Sequence, residues 1–91
     1  MSLQFDEGTY NTVTRRTDSI QLLAKEFALF HFLYENKEKA FTRSQLLDSV
    51  WPLEYPVERT VDDHVYRLRK KLKRWEEISL DTVRGYGYRN S

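Results

Sequence analysis

Between Arg59 and Arg74 the chain sets seven Lys and Arg (59, 67, 69, 70, 71, 73 and 74) against two Asp (62 and 63), a local net charge of +5. Basic side chains at this density suit the neutralisation of a polyanion's phosphates, with arginine forks also able to reach guanine edges. An acid–base or metal site has little to build on. Asp62-Asp63-His64 is the one cluster of suitable types. Consecutive helical residues lie 100° apart, so these three side chains diverge rather than converge on an ion. The chain has no cysteine, and Gly85-Tyr86-Gly87 sits at a turn, not ahead of a helix where it could cradle a phosphate. No catalytic residue, metal or cofactor is expected.

The element that must position this charge is a helix. Val61, Val65, Leu68, Leu72 and Trp75 are spaced 4, 3, 4 and 3. They form one apolar stripe of an amphipathic helix expected from Glu58 to Trp75. Steps of 100° place Asp63, Tyr66, Arg67, Lys70, Lys73 and Arg74 opposite the stripe. Thr60, His64 and Lys71 fall on one flank, Asp62 and Arg69 on the other. Charge over the whole chain is equally uneven. Residues 1–58 hold six Lys/Arg and nine Asp/Glu, giving −3, and residues 59–91 hold nine and five, giving +4. The net charge of +1 therefore conceals a positive end, as expected when one surface meets a polyanion.

The 91 residues make one domain, 1–91. No run of about 18 apolar residues could span a membrane, and the lack of cysteine fits a reducing, cytoplasmic setting. Leu3 to Phe5, Tyr10 to Arg15 and Ile20 to Leu22 read as short strands of an antiparallel meander, with turns at Asp6-Glu7-Gly8 and Thr17-Asp18-Ser19. Leu23 to Asn36 is a largely apolar, central helix whose N-cap position holds Leu23, a poor capper. His31 lies among its aromatics as a structural histidine. Ala40-Phe41 reads as an extended link. Thr42 and Gln45 form a capping box that opens a second helix, which runs to about Val50 and ends before Pro52. Residues 52–58 form a stiff, apolar loop, read either as a packed turn or as a protein-contact loop. After the basic helix, Ile78 to Val83, a tight Arg84-Gly85-Tyr86-Gly87 turn and Tyr88-Arg89-Asn90 make a β-hairpin with an arginine at its tip. Both glycines are expected to be free for positive φ. The fold class is α+β: meander, three helices and a hairpin wing.

R-T-V-D-D-H-V-Y-R-L-R-K-K-L at 59–72 and T-V-R-G-Y-G-Y-R at 82–89 closely resemble the C-terminal effector domain of OmpR/PhoB-type response regulators. L-L-A-K-E-F-A-L-F at 22–30 and T-R-S-Q-L-L-D-S-V-W at 42–51 match that family's first two helices, so the resemblance covers essentially the whole chain. It implies a winged helix-turn-helix that binds tandem promoter repeats, with the helix in the major groove and the wing in the adjacent minor groove. Arg67 would read bases, as would Thr82 and Arg84 on the wing. Trp51, Arg59, Thr60, His64 and Arg69 match positions that contact phosphates, and Lys70 and Lys71 are expected beside them. Loop 52–58 corresponds to the segment that meets RNA polymerase. The family's receiver domain, the substrate of a sensor kinase, is not in these residues.

Some positions leave alternatives open. Trp51 either caps the core or offers its indole N–H to a phosphate. Tyr66 stands where many members carry a basic residue, so a phosphate contact is lost or becomes a hydroxyl contact. Asp63 stands where members carry an apolar or small residue. It either pairs with Arg67 one turn on, worth about 0.3–0.5 kcal/mol, or accepts from cytosine N4. A winged helix serving only as a protein–protein module is the alternative function, since fold does not fix function. The basic outer face and cationic tip weigh against it.

Overall fold

The computed structural model describes residues 2–91. Three short strands open the chain: β1 (Gln4–Phe5), β2 (Thr12–Arg15) and β3 (Asp18–Gln21), paired antiparallel in the order β1-β2-β3. Val13 faces Ile20 across β2 and β3, and both are buried against the helices. The second strand starts at Thr12 rather than Tyr10, because Tyr10 takes φ 56° and donates its N–H to the Asp6 carbonyl at 2.9 Å. The turn between β2 and β3 falls at Arg16-Thr17, with Arg16 at φ 57°, so Asp18 and Ser19 belong to the strand.

Helix α1 (Ala24–Glu35) is the central element, and its Phe27, Leu29, Phe30 and Leu33 are fully buried. The weak cap at Leu23 has an explanation that the sequence reading lacked. Glu26, three positions on, accepts the Leu23 N–H on Oε1 at 2.9 Å, satisfying one of the donors that a helix start leaves orphaned. His31 stacks on Phe5 with ring centroids 4.4 Å apart, as a structural histidine does.

Residues 40–42 are not a link but a strand, β4 (Ala40–Thr42). It leads directly into α2 (Arg43–Val50), whose capping box forms as expected: the Gln45 N–H donates to Thr42 Oγ1, and the Thr42 N–H donates to Gln45 Oε1. Helix α3 (Arg59–Lys71) follows the loop. The hairpin strands are β5 (Leu80–Val83) and β6 (Gly87–Asn90), and β6 is the middle strand of a sheet ordered β4-β6-β5. The wing is thus rooted in a third strand that the sequence did not reveal.

The apolar stripe of α3 is buried in full: Val61, Val65 and Leu68 within the helix, Leu72 and Trp75 beyond it. The helix itself stops four residues short of the expected Trp75. After Lys71 the backbone tightens to i→i−3 bonds, Lys73 N–H to the Lys70 carbonyl and Trp75 N–H to the Leu72 carbonyl, as helix ends commonly do. That twist keeps Trp75 in the core and lets its indole Nε1 donate to Asp18 Oδ2 at 2.7 Å. It also swings Arg74 away from the outer face to the Asp18 carboxylate, at 3.2 Å.

Candidate nucleic-acid interface

The outer face of α3 carries Arg59, Asp63, Tyr66, Arg67 and Lys70, all exposed. Among the described residues, Arg59, Arg67, Lys70, Lys73 and Arg84 take part in no ion pair. The Lys70 ammonium sits 4.6 Å from the Tyr66 ring centroid, a cation–π contact on the helix surface. The expected Asp63–Arg67 pair does not form. In high dielectric such a pair gains too little to hold two mobile side chains together, so both groups stand free for a ligand.

The flank bearing Thr60, His64 and Lys71 turns inward. His64 Nδ1 lies 2.8 Å from the Thr60 carbonyl. A carbonyl can only accept, so Nδ1 carries a proton. The His64 ring meets Trp51 edge-on at 4.9 Å, and Trp51 is only 4% exposed, a core residue at the lip of the site. Lys71, expected at a phosphate, instead donates to Glu26 Oε1 at 2.6 Å. The reason is Glu26 itself, a carboxylate 0% exposed that requires a counter-charge. Burial raises its pKa, but the Lys71 hydrogen bond, the Leu23 N–H and the Lys71 and Arg67 charges together hold it below the ordinary value.

The opposite flank turns toward the wing. Arg69, also expected at a phosphate, donates Nε to the Leu80 carbonyl and a terminal nitrogen to Thr82 Oγ1, both at 2.9 Å. Asp62 accepts the Tyr88 hydroxyl on Oδ1 at 2.5 Å and Arg43 on Oδ2 at 3.0 Å. Burial first, then the hydrogen bond to the Asp62 carboxylate, pushes the Tyr88 phenol up to about 12, so it remains a donor at neutral pH. Between this flank and the wing lies a cleft of about 360 Å³ lined by Arg43, Asp62, Thr82, Tyr86 and Tyr88.

At the wing tip Arg84 is exposed beside Gly85, whose φ of +72° requires glycine or strain. Gly87 is needed for a different reason than expected. Its φ is not positive, but a Cβ there would lie 1.9 Å from the Phe41 carbonyl oxygen of β4. Loop 52–58 is not a packed turn: Leu53, Tyr55 and Val57 are 89%, 94% and 71% exposed. Lys25 holds its near end, donating to the Val50 carbonyl and pairing with Glu54.

The sequence places Asp63, Tyr66, Arg67 and Lys70 on the outer face, but it puts Arg74 there too and gives no sign of Glu26, Arg43 and Tyr88, which hold the face in position. Their partners lie 26 to 45 residues away for Tyr88 and Glu26 and 19 for Arg43, beyond any local pattern. Among the described residues, no group of three or more His, Asp or Glu could hold a metal ion, and no helix is long and apolar enough to cross a membrane.

Three helices with a hairpin bonded to the flank of the last, and a free basic face on that helix, define a winged helix-turn-helix. The chain belongs to the OmpR/PhoB-type family of response-regulator DNA-binding domains: the family model described as "Transcriptional regulatory protein, C terminal" matches residues 17–90. It is 47% identical over 89 residues to the transcriptional regulatory protein VxrB of Vibrio cholerae, covering 97% of this chain and 35% of that protein. It is 51% identical over 67 residues to the phosphate regulon transcriptional regulatory protein PhoB of Pseudomonas aeruginosa, covering 72% of this chain and 29% of that one. The chain thus spans about a third of the length of these curated relatives. Among solved structures, the DNA-binding domain of the response regulator AdeR, in complex with an intercistronic region, matches at a TM-score of 0.83 and 32% identity. The match covers 100% of this chain and 95% of that chain.

Proposed function

We propose that this domain binds double-stranded promoter DNA sequence-specifically, in tandem repeats, as the effector part of a cytoplasmic two-component transcriptional regulator. The observation that carries the reading is the outer face of α3, where Arg59, Arg67 and Lys70 are exposed and, among the described residues, without an ion pair, beside a wing tipped by Arg84, equally without one. Helix α3 enters the major groove, where Arg67 reads guanine bidentately and Asp63 accepts from cytosine N4. The wing enters the minor groove, where Arg84 meets the negative potential of a narrowed groove and Thr82 lies at a base edge. Arg59, Tyr66 and Lys70 meet phosphates from the outer face, with Trp51, Thr60 and His64 at the lip. Arg69 and Lys71 are assigned structural rather than phosphate roles, because Arg69 Nε and one of its terminal nitrogens and the Lys71 ammonium already bond within the chain.

The exposed apolar loop 52–58 supports a contact with RNA polymerase, and an upstream receiver domain and its sensor kinase would supply regulation. Selection from a random duplex pool tests the DNA assignment. Wild-type protein should yield one motif. Arg67→Ala should lose about 1–3 kcal/mol and blur one position, and Asp63→Ala should relax a cytosine. Enrichment of no motif by the wild-type chain would overturn the proposal in favour of a protein-contact winged helix.

A further inference from the structure

Arg69 and Asp62 are two turns apart on one flank of α3, and both are committed to the wing. We infer that Arg69 and the Asp62–Tyr88 pair are positioning residues that fix the angle between the recognition helix and the wing, and hence the spacing of the major- and minor-groove parts of the binding site. The inference rests on the DNA-binding reading above.

The ties reach different strands. Arg69 bonds β5, at the Leu80 carbonyl and Thr82 Oγ1. Asp62 accepts from Tyr88 on β6, the central strand of the wing sheet. Their helix anchors are seven residues apart, roughly 10 Å along the axis at 1.5 Å per residue. The β4 pairing holds the root of the hairpin, and the two separated ties set the angle at which it leaves that root beside α3. The ties are also joined to each other and to the body of the domain. The Arg69 guanidinium lies 5.6 Å from the Tyr88 ring centroid, and Tyr88 stands opposite Thr82 on β5 and Phe41 on β4. Arg43 of α2 occupies the second oxygen of Asp62, so neither carboxylate oxygen is idle. Arg84 is two residues beyond Thr82, so an error in wing angle is passed directly to the group at the tip. Recognition groups must be held to about 0.5 Å and 10–20° to act together.

The prediction is an energetic coupling, which a purely stabilising role would not produce. Affinity of the 91-residue chain for a duplex selected by the wild-type protein is measured by fluorescence anisotropy for Arg84→Ala and Arg67→Ala, each in wild-type, Arg69→Met and Tyr88→Phe backgrounds. Tyr88→Phe keeps the ring and removes one hydroxyl, so it serves where Arg69→Met fails to fold. In the wild-type background each arginine change should cost roughly tenfold or more. With either tie cut, the Arg84→Ala cost should shrink below about twofold while the Arg67→Ala cost stays whole, because double-mutant cycles report coupling only where groups depend on each other. An undiminished Arg84→Ala cost in both backgrounds overturns the positioning role alone. So does an equal fall in both arginine costs, which would mean general loosening. Failure of the wild-type chain to select any duplex overturns the DNA reading, and the positioning role with it; absence of any cost from Arg67→Ala and Arg84→Ala on a selected duplex overturns the roles of those two arginines, and with them the positioning role.

Discussion

Lys71 follows Lys70 by one residue and 100° of helix, and the two cations meet different fates. Lys70 lies over Tyr66 in solvent, while Lys71 reaches back to Glu26 at the start of α1. Glu26 is thereby given two donors on one oxygen, the Leu23 N–H and the Lys71 ammonium, and a single side chain joins the cap of α1 to the end of α3. Its pKa lies below the ordinary value of 4.5 in the folded state. A lowered pKa means stability that is complete above the unfolded value and lost as pH falls through the folded one. Asp18 is held down in the same direction, first by the Trp75 indole N–H and then by Arg74. The domain should therefore lose stability on acidification below about pH 4.5, the ordinary value from which Glu26 is lowered. Glu26→Gln should cost about 1–3 kcal/mol at pH 7, through loss of a charge-assisted bond at a buried site. It should also soften the fall of the urea midpoint as pH drops below about 4.5, where the unfolded carboxylate takes up a proton before the native one does. Equal acid sensitivity in the variant and the wild type would show that Glu26 is not a source of it.

At the level of elements, legibility tracked the distance over which a signal acts. The 4-3-4-3 stripe of α3, the Thr42–Gln45 box and the stop at Pro52 are local, and each was read from neighbours in sequence. Strand β4 was not, because Ala40-Phe41-Thr42 is three residues whose pairing partner is Gly87–Arg89. The only trace was Gly87 itself, read as a turn glycine when it is a contact glycine against the Phe41 carbonyl. The end of α3 was misread for a related reason: the apolar period continues to Trp75 although the hydrogen bonding changes after Lys71. Of the candidate site, the outer face was visible as periodicity and charge, while the sorting of cations into free and engaged depended on tertiary partners. The loop at 52–58 shows the limit of composition, since its apolar residues suggested packing and three of them stand in solvent. Such exposure on a loop stiffened by two prolines favours a protein partner. Replacing both Leu53 and Tyr55 by Ser should leave DNA affinity unchanged and remove any gain in RNA polymerase binding to a selected duplex that the wild-type chain brings. Polymerase binding with that variant equal to that with the wild type would remove the loop from the polymerase contact.

For the molecule as a whole, net charge is a poor guide to how it meets DNA. The total is +1, yet the charges divide into −3 over residues 1–58 and +4 over residues 59–91. The structure divides the positive share again. Arg69, Lys71 and Arg74 are engaged with the wing, with α1 and with β3, whereas Arg59, Arg67, Lys70, Lys73 and Arg84 have no ion-pair partner among the described residues. Only a cation that releases a DNA counterion contributes to the salt dependence of binding, at about 0.9 in slope per phosphate on duplex DNA. Plots of log affinity against log salt should therefore separate the two groups. Arg59→Ala and Lys70→Ala should each flatten the slope by about 0.9. Lys71→Ala and Arg74→Ala should lower the melting temperature, since each removes an internal tie, and leave the slope where it was. A sequence-based count treats all of these residues alike, so the measurement decides between charge composition and charge placement. If Lys71→Ala flattened the slope as much as Lys70→Ala, the Glu26–Lys71 pair would have to open on DNA, and the fixed geometry assigned to the end of α3 would fail.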